Sequence, residues 1–166
     1  MKLAIVIALF AACSHDDPEL AAKVTRALDG LGDQIAADAR AAIANPPKSR
    51  IGVVEIFAEV TPVALPRHAA TLARFGVTPI QVVELVHAHP DTIDHMLSRA
   101  QPAIDELAHA VEVLPAADPG ECDALAKRVA VLEAGPDRAY GEMLATALPT
   151  CAQGSGSPAP PPAAAN

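Results

Sequence analysis

Tryptophan is absent from this 166-residue chain, tyrosine occurs once and phenylalanine three times. So few aromatics exclude an aromatic ligand cage and leave any core to Leu, Val, Ile and Ala. Basic clusters are missing too. Twelve Lys and Arg face twenty Asp and Glu, for a formal net charge of −8. A nucleic-acid binder needs grouped cations to displace counterions, so that class is set aside. No apolar run approaches the ~20 residues of a membrane-spanning helix. Serine stands only at Ser14, Ser49, Ser98, Ser155 and Ser157, never in a Gly-x-Ser-x-Gly elbow. No His-Glu-x-x-His, Cys-x-x-Cys or Cys-x-x-Cys-His occurs, so neither a zincin nor a c-type haem site is indicated. No glycine-rich phosphate loop follows a strand. What is present is a chain 51% hydrophobic, of one-domain length and able to bury a substantial core.

The N-terminus carries the most information. Met1-Lys2 places one positive charge before an apolar run from Leu3 to Phe10, which ends in Phe10-Ala11-Ala12-Cys13. The run has the length of a signal-peptide core. The stretch resembles the lipobox signal of bacterial lipoproteins, with Phe10 where Leu is usual and a signal, residues 1–12, that is short. The resemblance implies cleavage before Cys13, diacylglycerol on its thiol and, in many such proteins, a third acyl chain on its amine. Two or three chains anchor stably in a lipid bilayer, where one binds only marginally. Ser14 would be the second mature residue; by the same resemblance, the lack of Asp there favours the outer membrane, periplasmic side, over the inner.

Three cysteines is an odd number, but assigning Cys13 to lipid leaves Cys122 and Cys151 as an even pair in an oxidising compartment. Cys122, Leu125, Val129 and Leu132 share one helical stripe; Tyr140, Met143, Leu144 and Ala147 form the next, with Cys151 following on its face. A hairpin turning at Gly135-Pro136 brings the two cysteines together. Closing that loop of about 30 residues is worth roughly 3–4 kcal/mol in the chain-entropy model.

The rest of the chain predicts an all-α bundle of five to seven helices, with the mature domain spanning residues 13–151. Asp17-Pro18 reads as a cap with proline at the first helical position. From there Leu20, Val24, Ala27, Leu28, Leu31, Ile35, Ala42 and Ile43 keep a helical stripe to Asn45-Pro46-Pro47. Gly30 and Gly32 weaken its middle and suggest a kink, and Asp38 falls on the apolar stripe, where a salt bridge or a frayed edge would account for it. Ile51 to Val60 is β-branched, yet Val53, Ile56, Phe57 and Val60 follow helical spacing with Glu55 and Glu59 opposite, so a helix is expected. Pro66 is expected to open a short helix to Phe75, stopped by Gly76. Thr78-Pro79-Ile80-Gln81 reads as a capping box for a helix to about His87. Ile93, Met96, Leu97, Ala100, Ile104, Leu107, Val111 and Leu114 form the cleanest stripe, with Pro102 on the outer face. Residues 115–119 link to the last hairpin. Residues 152–166 are low-complexity Gly, Ser, Pro and Ala, read as a disordered tail.

One segment concentrates functional side chains: His87-Ala88-His89-Pro90-Asp91-Thr92-Ile93-Asp94-His95. His87, His89, Asp91 and His95 are ligands a borderline divalent metal accepts, and a His-x-His turn with Asp91 and His95 at helical spacing could converge. The plainer reading pairs His95 with Asp91 on a wet face, with His87 beside Glu84. His109 lies about 21 Å further along a straight helix and cannot join them. His15 and His68 read as isolated surface residues, and Glu55, Glu59, Asp105 and Glu106 as solvated carboxylates. Three functional classes stay open. The leading one is a non-enzymatic, lipid-anchored module binding an envelope protein or cell-wall polymer. The second is a periplasmic metal-binding lipoprotein using the His87–His95 cluster, and the third an enzyme with an unrecognised all-α site.

Overall fold

The computed structural model describes residues 17–148. Cys13 and Ser14, the Cys151 half of the expected disulfide, and the tail 152–166 lie outside them. The described residues hold seven α-helices and no strand. They are α1 (Pro18–Ala44), α2 (Val54–Glu59), α3 (Ala69–Ala73), α4 (Pro79–Ala88), α5 (Asp94–Val111), α6 (Pro119–Glu133) and α7 (Arg138–Ala145). Short 3-10 segments lead into three of them, at Arg50–Val53, Pro62–His68 and Pro90–Ile93.

Local chemistry accounts for most of these boundaries. The Asp17 carboxylate accepts from the Glu19 and Leu20 amides at 2.9 and 3.3 Å, satisfying donors that the first turn of α1 would leave orphaned. Reciprocal capping boxes start α4 (Thr78 with Gln81) and α6 (Asp118 with Glu121), each with proline at the first helical turn. Gly76, at φ +74°, ends the turn after α3 in a conformation that suits only glycine well. One expectation is corrected here. Pro62, not Pro66, opens the segment, Pro66 lies within the 3-10 turn, and α3 begins only at Ala69. A 3-10 turn tolerates the missing proline N–H where a continuous α-helix would lose a bond.

The main core forms where α1 packs along α5. Val24, Leu28, Leu31 and Ile35 meet Met96, Ala100, Ile104 and Leu107, and Leu65, Leu72, Val82 and Leu85 close the cluster. Gly32 is buried at this crossing: a Cβ there would lie 2.5 Å from the Met96 carbonyl oxygen and 2.7 Å from Arg99 Cβ. Gly30 likewise leaves room for the Phe75 ring. The two glycines thus serve close approach, and α1 continues through them as one helix. Pro102 lies on the exposed side of α5, as its position in the stripe requires.

A second, smaller core lies between the α6–α7 hairpin and the middle of the chain. It consists of Leu125, Val129, Tyr140 and Leu144 from the hairpin, with Ala58 and Ala64 opposite. The segment before α2 is fastened to the end of α5. Arg50 donates from Nη2 to the Glu112 carbonyl at 2.6 Å and from Nε to the Leu114 carbonyl at 3.0 Å. The neighbouring Ser49 is 1% exposed, and its Oγ has no hydrogen-bond partner. An unpaired buried hydroxyl costs free energy. Ser49→Ala is therefore expected to raise stability by up to about 1 kcal/mol, read as a later urea midpoint at unchanged slope. An earlier midpoint would mean that the hydroxyl is bonded in solution.

Candidate functional site

The sequence points to the His87–His95 segment, and the structure does not assemble it. His87, His89, Asp91 and His95 are all exposed. Asp91 sits in the 3-10 turn between α4 and α5, and His95 Nδ1 faces Asp29 of α1 at 3.6 Å, not Asp91. Arg99 approaches the same Asp29 carboxylate at 3.6 Å. Among the described residues, no group of three or more His, Cys, Asp or Glu is arranged to hold a metal ion. Tertiary contact with α1 redirects His95, because helical spacing brings residues to one face without choosing their partner.

A different cluster lies at the junction of the two cores. Glu59, the last residue of α2, pairs with His68 at the end of the 3-10 segment Pro62–His68. His68 is largely but not fully covered, its side chain 11% exposed. Its Nε2 lies against Glu59 Oε2, a contact charged on both sides when the imidazole is protonated. From α7, the Tyr140 hydroxyl donates to Glu59 Oε1 at 3.3 Å. The Arg67 guanidinium stacks 4.3 Å from the Tyr140 ring centre and reaches Asp137, before α7, at 3.2 Å. One turn earlier on α2, Glu55 pairs with Arg128 of α6 at 2.7 Å. Glu59, His68, Tyr140, Arg67 and Asp137 thus form one connected group spanning three elements.

The electrostatics follow from this packing. Burial by itself would raise the Glu59 carboxyl, but the His68 contact and charge, the Tyr140 hydroxyl and the Arg67 charge together hold it below its ordinary value. Tyr140 moves the other way. Burial, with the Glu59 and Glu55 carboxylates nearby, pushes its phenol up to about 12 from 10.0. Folding therefore favours the protonated phenol. That stabilisation is complete below pH 10.0 and is lost as pH rises toward about 12. Tyr140 is the only tyrosine and the chain has no Trp, so a phenolate absorbance titration reads it alone. The native protein should titrate later than the urea-unfolded chain, and its stability should fall across that window. Tyr140→Phe should abolish this part of the fall; coincident native and unfolded titrations would contradict the burial argument.

Beside Glu59 and His68 opens a cleft of about 270 Å³, lined also by Gln34, Ile35 and Asp38 of α1 and by Glu55 and Ile56 of α2. Two aliphatic side chains line it together with three carboxylates. Asp38 is exposed at this cleft, which accounts for a carboxylate so near the apolar stripe of α1. Thr71 of α3 donates to Gln34 Oε1 at 2.9 Å. A general base works best with a pKa near the ambient pH, and Glu59 is held in the opposite direction.

Sequence reasoning missed this group. His68 reads as isolated and Glu55 and Glu59 as solvated, whereas all three are at least half-buried and paired. The available signal was the recurrence of Glu55 and Glu59 four residues apart, which gives one helix a single acidic face. Nothing local says that α6 and α7 cover that face. Cys122 lies in the first turn of α6, half-buried. The hairpin forms as its stripes require, with α6 packed on α7 and Leu125, Val129, Tyr140 and Leu144 inward. No helix among the described residues is long and apolar enough to cross a membrane. No family model matches the chain, and neither the curated proteins nor the solved structures contain a significant match.

Proposed function

We propose that this protein is a lipoprotein of a bacterial cell envelope, anchored by acyl chains on Cys13. Its helical domain acts as a non-enzymatic binding module for an envelope protein or cell-wall polymer. The observation that carries the reading is the order Lys2, apolar run, Ala11-Ala12, Cys13 at the N-terminus. A Cys122–Cys151 disulfide belongs to the same reading. The packing of α6 on α7 is compatible with it, and an oxidising compartment would keep the bond. The cleft of Asp38, Glu55 and Glu59 offers a partner's cationic side chain a carboxylate-lined seat with an aliphatic wall. The net charge of −8 would steer such a partner inward.

The deciding experiment is the intact mass of the protein extracted from native membranes, with thiol labelling before and after reduction. The expected mass is that of the chain from Cys13 plus two or three acyl groups, with two thiols labelled only after reduction. An unprocessed chain with three labelled thiols would overturn anchor, compartment and disulfide together. For the binding role, crosslinking in intact envelopes should capture a reproducible partner that Asp38→Asn with Glu55→Gln weakens. No reproducible partner in repeated captures would count against that role.

A further inference from the structure

The α6–α7 hairpin meets the rest of the molecule through a thin dry contact and a dense polar one. On the apolar side, the buried residues facing it among the described residues are Ala58 and Ala64, two of the smallest side chains available. The partly buried Ile51 and Val54 add to them. The larger core of α1, α4 and α5 contains none of the hairpin's buried side chains. On the polar side, three attachments cross the junction close together: Tyr140 to Glu59, Arg67 to Asp137 with its stacking on Tyr140, and Arg128 to Glu55. Thr61 adds a contact to Met143 Sδ at 3.3 Å.

We propose that this junction is an acid-sensitive clasp, and that protonating Glu59 releases the α6–α7 hairpin as a unit while the α1–α5 core stays folded. Glu59 is the carboxylate that both His68 and Tyr140 use, so neutralising it removes the charge holding two elements to α2 at once. Charged and titratable groups around the junction come from every element packed there. They are Glu55 on α2, Arg67 and His68 on the 3-10 segment, Asp38 across the cleft on α1, Arg128 on α6, Asp137 before α7 and Tyr140 on α7. The folded protein holds Glu59 below its ordinary value, so the stabilisation it gives is complete above that value and is lost as pH falls below it toward the folded one. Opening would expose the Ala58, Ala64, Leu125 and Tyr140 surfaces, a dry patch absent at neutral pH.

Amide hydrogen exchange on the full chain tests this, with rates corrected for the intrinsic effect of pH. At neutral pH, Glu59→Gln should lose about tenfold or more protection in residues 119–145, while α1 and α5 keep theirs. Wild-type protein taken into acid should show the same order, the hairpin exchanging first. Hairpin protection unchanged in Glu59→Gln overturns the proposal. Should Glu59→Gln fail to fold, the wild-type acid series decides: simultaneous loss in hairpin and α1–α5 core overturns it, and hairpin-first loss upholds it. Acid-stage opening that survives in Glu59→Gln with unchanged onset also overturns it, because the trigger would then be another carboxyl.

Discussion

Tyr140→Ala should lower stability by roughly 3–5 kcal/mol, the usual cost of emptying a buried aromatic site. Tyr140 is 1% exposed and is the bulkiest fully buried side chain among the described residues. It performs three tasks at once. Its ring fills the small core with Leu125, Val129 and Leu144. Its face carries the Arg67 guanidinium, and its hydroxyl supplies a donor to Glu59. Truncation leaves a cavity that the neighbouring alanines are too small to fill, and it strips both charged groups of a partner. Tyr140→Phe separates these effects, since it keeps the ring and removes one hydrogen bond; about 1 kcal/mol is expected. Urea unfolding followed by circular dichroism gives both values. Near-equal losses in the two variants would mean that the hydrogen bond to Glu59, not the filling of the site by the ring, supplies most of what Tyr140 contributes.

Gly32→Ala should destabilise by about 2 kcal/mol, although alanine is the better helix former by about 1 kcal/mol. Overpacking a tight contact costs about 1–3 kcal/mol and occasionally more, and here the upper end applies. The added Cβ would lie 2.5 Å from a backbone carbonyl of α5, Met96 O, and 3.1 Å from Met96 Cα. Backbone cannot rotate away as a side-chain tip can, so α1 and α5 must separate along the principal contact of the fold. Gly120→Ala is a fitting comparison. Its closest contact is an Asp118 side-chain oxygen at 3.2 Å, and it lies at the exposed start of α6. Thermal unfolding should show a drop of several degrees for the first and little change for the second. Equal shifts would mean that glycine's helix propensity alone decides, and that the crossing is looser than its geometry.

Much of the fold was legible because it is written in local chemistry. The caps at Asp17, Thr78 and Asp118 need only a side chain and the amides two or three residues on. The stripes Val24–Leu28–Leu31–Ile35 and Met96–Ala100–Ile104–Leu107 declare which faces turn inward. Where local signals failed, a longer-range contact had intervened. Gly30 and Gly32 read as weak points until Phe75 and α5 are placed beside them. His95 reads as a partner for Asp91 until Asp29 comes near it from α1.

The candidate site shows the same division more sharply. By itself the sequence determined an all-α chain, its capped helices, its two inward stripes and the hairpin of the last two helices. Each follows from 3.6-residue periodicity and hydrogen bonds between near neighbours. Only the tertiary structure decided that Glu59, His68, Arg67 and Tyr140 would meet, since Tyr140 stands 81 residues from Glu59. Periodicity tells a helix which face is apolar, but it cannot say what covers the opposite face. The acidic side of α2 looked solvated because its partners, Arg128 and Tyr140, arrive from a hairpin far along the chain. Burial raises the Tyr140 phenol, while His68, the Tyr140 hydroxyl and Arg67 outweigh the same effect at Glu59 and lower it, so the two neighbours are displaced in opposite directions.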